Sequence, residues 1–140
     1  MPKYRILVVD DNRLSAQSTA MALGLMGHDL ATACDGIEGI ERARTFRPDV
    51  ILMDIGLPDI NGHETARRIR RQPGGKNIIL IAVTGYGQEE DRRRSIEAGF
   101  DYHLVKPLNF AELKSKLSEI PSPRKPQSFL TMRKIIETSS

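Results

Sequence analysis

Asp10, Asp11, Asp54, Thr84 and Lys106 all stand at the ends of short apolar runs, which cover residues 6–9, 50–53, 78–83 and 103–105. Adjacent carboxylates such as Asp10 and Asp11 repel, and burial makes each costlier to ionise. A turn needs one of them at most, so the pair points to a site. If Asp54 joins them, three carboxylates share one place and call for positive charge. Lys106 offers one charge and a divalent cation two. The chain has a single cysteine, Cys34, and no clustered histidines. A donor set made of oxygens alone selects Mg²⁺ or a similarly hard ion. Thr84 and Lys106 are hydrogen-bond donors suited to a phosphoryl group attached to, or transferred at, such a site. Taken singly, each residue has an ordinary explanation: an Asp after a strand caps a helix, a Thr fills a turn, and a Lys is a solvated charge. Their joint placement does not.

The elements that must position them alternate. Apolar runs at 6–9, 30–33, 50–53, 78–83 and 103–105 read as strands buried on both faces of a parallel sheet. Amphipathic stretches lie between them. The spacing predicts a first helix over about 14–26 and a fourth over about 88–98. Three others start with an Asx residue followed three later by Glu: Asp35–Glu38, Asn61–Glu64 and Asn109–Glu112. That pattern caps free N–H groups and places acid at the positive helix end. Gly27 and Gly99 mark helix exits. The alternation predicts a doubly wound α/β domain with right-handed crossovers over residues 1–120. In such sheets ligands bind at the carboxyl ends of the strands, where the five candidate residues would lie. Residues 121–140 form a Pro-rich linker whose Phe129, Leu130, Met132, Ile135 and Ile136 can make a short amphipathic helix.

Composition narrows the function classes. The net charge of +3 arises wholly within residues 121–140, and residues 1–120 are balanced. No charge excess in the domain demands nucleic acid. No apolar run is long enough to span a membrane, and no signal-peptide pattern follows Met1. One cysteine fits a reducing compartment, so a cytoplasmic protein is expected. Cys34 reads as a small buried hydrophobe, and His28 and His63 as surface or turn residues without chemistry.

The stretches "ILVVDDN", "PDVILMDIGLPDINGHE", "IAVTGYG" and "EAGFDYHLVKP" resemble the receiver domain of two-component response regulators over about residues 4–120. The resemblance implies a flavodoxin-like five-stranded parallel sheet of order 2-1-3-4-5 with helices on both faces. It implies that Asp54 is the phosphoacceptor, taking a phosphoryl group from phosphohistidine as an acyl phosphate. Asp10, Asp11, Asp54 and the backbone carbonyl of Gly56 would hold Mg²⁺. Lys106 would pair with the phosphoryl oxygens and Thr84 would hydrogen-bond one of them. The Lys106–Pro107 bond would be cis. His103 stands where receivers carry a rotating switch residue, often Tyr or Phe. Tyr86 would shield the acyl phosphate from water. The expected partners are a histidine kinase or a histidine phosphotransfer protein. A downstream protein would dock on the face made by the helix near 88–98, the fifth strand and the last helix. The wording is closest to receivers of hybrid histidine kinases, so a stand-alone receiver or one drawn from such a kinase is expected. It would be a signalling module and not an enzyme on an external substrate.

Two other classes compete. A Mg²⁺-dependent phosphohydrolase on a related α/β fold would often use an Asp-x-Asp pair on one strand end, whereas Asp10 and Asp11 are adjacent. A nucleotide- or flavin-binding module would carry a phosphate-cradling glycine motif, and neither "GxGxxG" nor a P-loop occurs.

Overall fold

The computed structural model describes residues 3–85 and 96–120. Within these, five parallel strands form one sheet in the order β2-β1-β3-β4-β5. They are β1 (Arg5–Val9), β2 (Asp29–Ala33), β3 (Val50–Asp54), β4 (Ile79–Thr84) and β5 (Tyr102–Val105). The helices are α1 (Arg13–Leu25), α2 (Gly36–Phe46), α3 (Gly62–Arg70) and α4 (Phe110–Glu119), with a short 3₁₀ turn at Gly75–Asn77. Of the helix expected over 88–98, residues 96–98 are described and are helical. Its remainder, Tyr86 and the 121–140 tail lie outside the described residues.

Each strand's two-residue side-chain period feeds two cores. Ile6, Val8, Leu52 and Ile81 pack with Ala16 and Leu23 of α1 and Leu113 and Leu117 of α4. Leu7, Val9, Ile51, Met53 and Leu80 face the other way, onto Ala43 of α2 and Ala66 and Ile69 of α3. All six residues of β4 are buried, which is why its sequence is a continuous apolar run. β2 reads weakly because it is an edge strand with four half-buried residues.

The caps are as the spacing predicts. Asp35, Asn61 and Asn109 accept from the backbone N–H of Glu38, Glu64 and Glu112 at 2.7, 2.9 and 3.1 Å. Asn12 caps α1 by accepting from Ser15 N–H. Gly27 and Gly99 take φ of +99° and +104°, a region most residues avoid. The Lys106–Pro107 peptide is cis.

Three side chains differ from expectation. His63 is buried, with its ring edge-on to Phe100. Cys34 is half-exposed, and its N–H donates to the Glu38 carboxylate. His28 is buried, stacks on Tyr4 and accepts the Tyr4 N–H at Nδ1, 3.1 Å away. His28 and His63 follow a turn or open a helix, where sequence suggests exposure, and Tyr4 and Phe100 cover them; Cys34, expected buried, directly follows the edge strand β2 and is left half-exposed.

Burial pushes the His28 pKa down. The unfolded chain therefore holds more protons than the folded one as pH falls through the ordinary histidine range of about 6.5. The contribution of His28 to stability is full above that range and is lost below it. His28→Asn keeps an acceptor near the Nδ1 position and cannot titrate. Its melting temperature should fall less than that of wild type between pH 7 and pH 5. Equal falls in thermal melts would assign the acid sensitivity elsewhere.

Opposite the carboxyl edge, Arg70 closes the base of the sheet. Its guanidinium donates to the carbonyls of Gly75, Ile78 and Gly99 and to Asp101 Oδ2 at 2.9 Å. Asp101 Oδ2 also accepts from Leu80 N–H at 2.9 Å. The Asp101 side chain is 2% exposed, so its charge is paired and hydrogen-bonded, as a buried charge must be.

Candidate functional site

Parallel pairing continues one residue past the strand ends and so places the reactive groups. Asp10 N–H donates to Ala33 O at 3.0 Å, Ile55 N–H to Val83 O at 3.1 Å and Lys106 N–H to Thr84 O at 2.8 Å. Val9 pairs with Met53, Asp54 with Val83 and Thr84 with Val105. Asp10, Asp54, Thr84 and Lys106 are thereby fixed on one edge of the sheet.

Ligand oxygens of Asp10, Asp11 and Asp54 lie within 4.8 Å of one another. Asp10 is buried, Asp54 half-buried and Asp11 exposed. Lys106 Nζ donates to Asp54 Oδ2 at 2.9 Å and stands 3.9 Å from Asp10 Oδ2. Partial burial alone would lower the Lys106 pKa. The Asp54 hydrogen bond and the fields of Asp54, Asp10 and Asp11 outweigh it and raise the value, so the ammonium stays charged across the neutral range. One ammonium offsets only part of three carboxylates. Asp10 Oδ1 accepts from Asn12 N–H and Asp54 Oδ1 from Gly56 N–H. Gly56 thus meets the site through its amide. An all-oxygen cluster with one buried member and surplus negative charge fits a hard divalent cation.

Thr84 is 2% exposed. Its hydroxyl lies 2.7 Å from Nε2 of half-buried His103, on the neighbouring strand. The sequence-expected residues therefore fall into two connected groups: the carboxylates with Lys106, and Thr84 with His103.

A cleft of about 570 Å³ opens beside Asp10, Asp54 and Lys106. Ser15, Ser18 and Thr19 of α1 form one wall, and Leu108 and Phe110 ahead of and within α4 form another. None of these was singled out from sequence, because small hydroxyl residues within a helix carry no pattern of their own. The loop after Asp54 is pinned at both ends. A Cβ on Gly62 would stand 2.7 Å from Ile55 Cα and 2.9 Å from Asp54 O, and Gly62 N–H donates to Ile55 O. Asp59 accepts from Gly36 and Ile37 N–H at the start of α2. Burial would raise its pKa, and these backbone donors more than reverse that.

Comparison with known proteins places this geometry. The family model "Response regulator receiver domain" matches residues 6–118. The probable transcriptional regulatory protein TcrX of Mycobacterium tuberculosis is 36% identical over 80% of this chain and 47% of its own length. The chain spans about half the length of the curated relatives it matches. Among solved structures, the receiver domain of sensor histidine kinase PA1611 from Pseudomonas aeruginosa has magnesium coordinated in its active-site cleft. It superposes with a TM-score of 0.76 at 33% identity, covering 84% of this chain and 96% of its own. The co-crystal structure of the Saccharomyces cerevisiae phosphotransfer protein Ypd1 with the receiver domain of Ssk1 matches with a TM-score of 0.76 at 26% identity, covering 84% and 88%. Among the described residues no helix is long and apolar enough to cross a membrane.

Proposed function

From the premise that this chain belongs to the response regulator receiver family, we propose that Asp54 accepts a phosphoryl group from a partner's phosphohistidine and that the acyl phosphate so formed changes partner binding. The observation that carries this is Asp54 at the end of β3, bonded by Lys106 and facing Asp10 and Asp11. An Asp54 oxygen attacks phosphorus, the P–N bond breaks, and the imidazole departs as the leaving group. Lys106 is already within hydrogen-bond reach and neutralises charge on the incoming phosphoryl oxygens. Thr84 supplies a hydroxyl donor on the adjoining strand. Asp10, Asp11, Asp54 and the Gly56 carbonyl would hold Mg²⁺, which supplies further charge neutralisation when bound. The chain consumes its own carboxylate in each cycle, so it is a switch and not an enzyme on an external substrate. The phosphohydrolase reading finds less support, because the acids come from two strands with Asp54 alone on β3.

Incubation with acetyl phosphate and Mg²⁺ should add one phosphoryl group, lost at alkaline pH and mapped to Asp54 by peptide mass spectrometry. No mass gain, or a gain mapped elsewhere, overturns the reading.

The partner is a protein with a phosphohistidine, a histidine kinase or a histidine phosphotransfer protein, met in the cytoplasm. The balanced charge of residues 1–120 gives nucleic acid no footing. The α1 wall of the cleft supports such docking. Leu14, Met21 and Leu25 are 76%, 69% and 86% exposed, and Arg13 is the sole charged residue of the helix. A solvent-facing apolar stripe of this kind marks an interaction site. Met21→Glu should slow transfer from a phosphohistidine donor about tenfold, as loss of a central apolar contact does. Labelling by acetyl phosphate should be unchanged. Equal rates from the protein donor would place docking elsewhere, including the face formed by residues 96–98, β5 and α4 that we propose for a downstream protein.

A further inference from the structure

We infer that His103 is a positioning residue for the phosphorylated state: its Nε2–H donates to Thr84 Oγ1, so that the single hydroxyl proton of Thr84 points at a phosphoryl oxygen on Asp54. This rests on the phosphoacceptor reading above. The Thr84 hydroxyl and His103 Nε2 are 2.7 Å apart, and Thr84 is almost wholly shielded from solvent. Solvent therefore does not compete for that hydroxyl. A hydroxyl has one proton to donate and two lone pairs. A neutral imidazole nitrogen either donates or accepts, according to which nitrogen carries the proton.

The contact can run in two directions. If Thr84 donates to Nε2, its proton faces the ring and its lone pairs face the phosphoryl oxygens. Oxygen then meets oxygen with no proton between, and a buried oxyanion loses a donor. If Nε2–H donates to Oγ1, the hydroxyl proton is free for the phosphoryl oxygen, and the two hydrogen bonds polarise each other in series. Only the second direction is compatible with a Thr84–phosphoryl bond while the ring stays in place. Sheet register keeps the ring close: Ala82 pairs with His103 and Thr84 with Val105, so Thr84 and His103 lie diagonally across β4 and β5. A Phe at this position has no ring donor and leaves the hydroxyl rotor unconstrained. Gln carries an amide N–H₂ at about the depth of Nε2 and can donate in the same sense.

Beryllofluoride with Mg²⁺ serves as the phosphoryl stand-in, with binding followed by NMR and imidazole ¹⁵N shifts read on the wild-type chain. The bound state should show His103 Nε2 protonated. His103→Phe should bind beryllofluoride about fivefold more weakly, the weight of one neutral hydrogen bond, while His103→Gln should bind within about twofold of wild type. In a Thr84→Val background the His103→Phe change should have no further effect, since the residue acts through the hydroxyl. Bound wild type with Nε2 unprotonated overturns the inference and leaves the phosphoacceptor reading intact. Equal weakening by Phe and Gln, or an undiminished His103 effect without the Thr84 hydroxyl, also overturns it. Failure of wild type to bind beryllofluoride at all overturns the phosphoacceptor reading, and this inference with it.

Discussion

Asp54→Ala is expected to take up no detectable phosphoryl group, from acetyl phosphate or from a phosphohistidine donor, under conditions that label most of the wild-type chain. The reason is positional. Asp54 is the carboxylate that Lys106 grips at 2.9 Å, with a backbone donor from Gly56 on its other oxygen. Asp10 is buried with one oxygen held by Asn12, and Asp11 is exposed at the rim. Neither is within hydrogen-bond reach of the ammonium. Alanine removes the nucleophile and one negative charge from a crowded cluster, which relieves repulsion. The β1–β3–β4 pairing around it is made by backbone and is retained, so the variant should fold. Asparagine is a poorer control, because deamidation regenerates the acceptor. Intact mass before and after alkaline treatment reads the result. Label that persists in Asp54→Ala would move the acceptor to Asp10 or Asp11.

Asp11→Asn should melt about 3 °C higher than wild type in EDTA and lose most of the stabilisation that Mg²⁺ gives wild type. Without a cation, the oxygens of three carboxylates meet within 4.8 Å against one ammonium. That arrangement opposes folding and persists because the sheet imposes it. Mg²⁺ binds the folded cluster and not the dispersed chain. At a hundredfold excess over its dissociation constant it should stabilise wild type by about 2.7 kcal/mol. Asparagine keeps the shape of Asp11, removes its charge, and weakens a cation site that depends on that charge. Ca²⁺ should support phosphorylation poorly, since it does not hold the tight octahedral geometry of Mg²⁺. Thermal melts of both proteins in EDTA and in Mg²⁺ decide the matter. A lower melting point for Asp11→Asn in EDTA, with equal Mg²⁺ gains, would make the acidic pair a capping feature.

The features legible from sequence were those written in local chemistry. Apolar runs located all five strands to within a residue at each end, and Asx-x-x-Glu located three helix starts, because capping is a contact between neighbours in the chain. The candidate site was legible because four of the five strands end in or beside a residue suited to it and a parallel sheet has one carboxyl edge. What escaped depends on packing between distant segments. His28 is covered by Tyr4 and His63 by Phe100, 24 and 37 positions away in the chain. Gly62 looks like an ordinary helix-start residue until Ile55 is seen pressed against it. Asp59 looks like a turn residue until its carboxylate is found on the first turn of α2. The Thr84–His103 bond needed the register of β4 on β5, which sequence alone does not set.

The clasp around Arg70 gives the last strand a mechanical character. Asp101, immediately before β5, is bolted to Leu80 and to Arg70, which in turn holds the carbonyls of Gly75, Ile78 and Gly99. Two residues on stands His103, and at the far end Val105 is 45% exposed with Lys106 beyond it. β5 is thus anchored at its base by side chains and along its length by β4. A strand rises about 3.3 Å per residue, so the span from the anchor at Asp101 to Lys106 is on the order of 16 Å. A small tilt displaces its tip several times further than its root. In the proposed phosphorylated state, a new charge at Asp54 would act on that tip through Lys106. Any tilt of β5 about that anchor would be felt most at its tip, beside the outward-facing Val105.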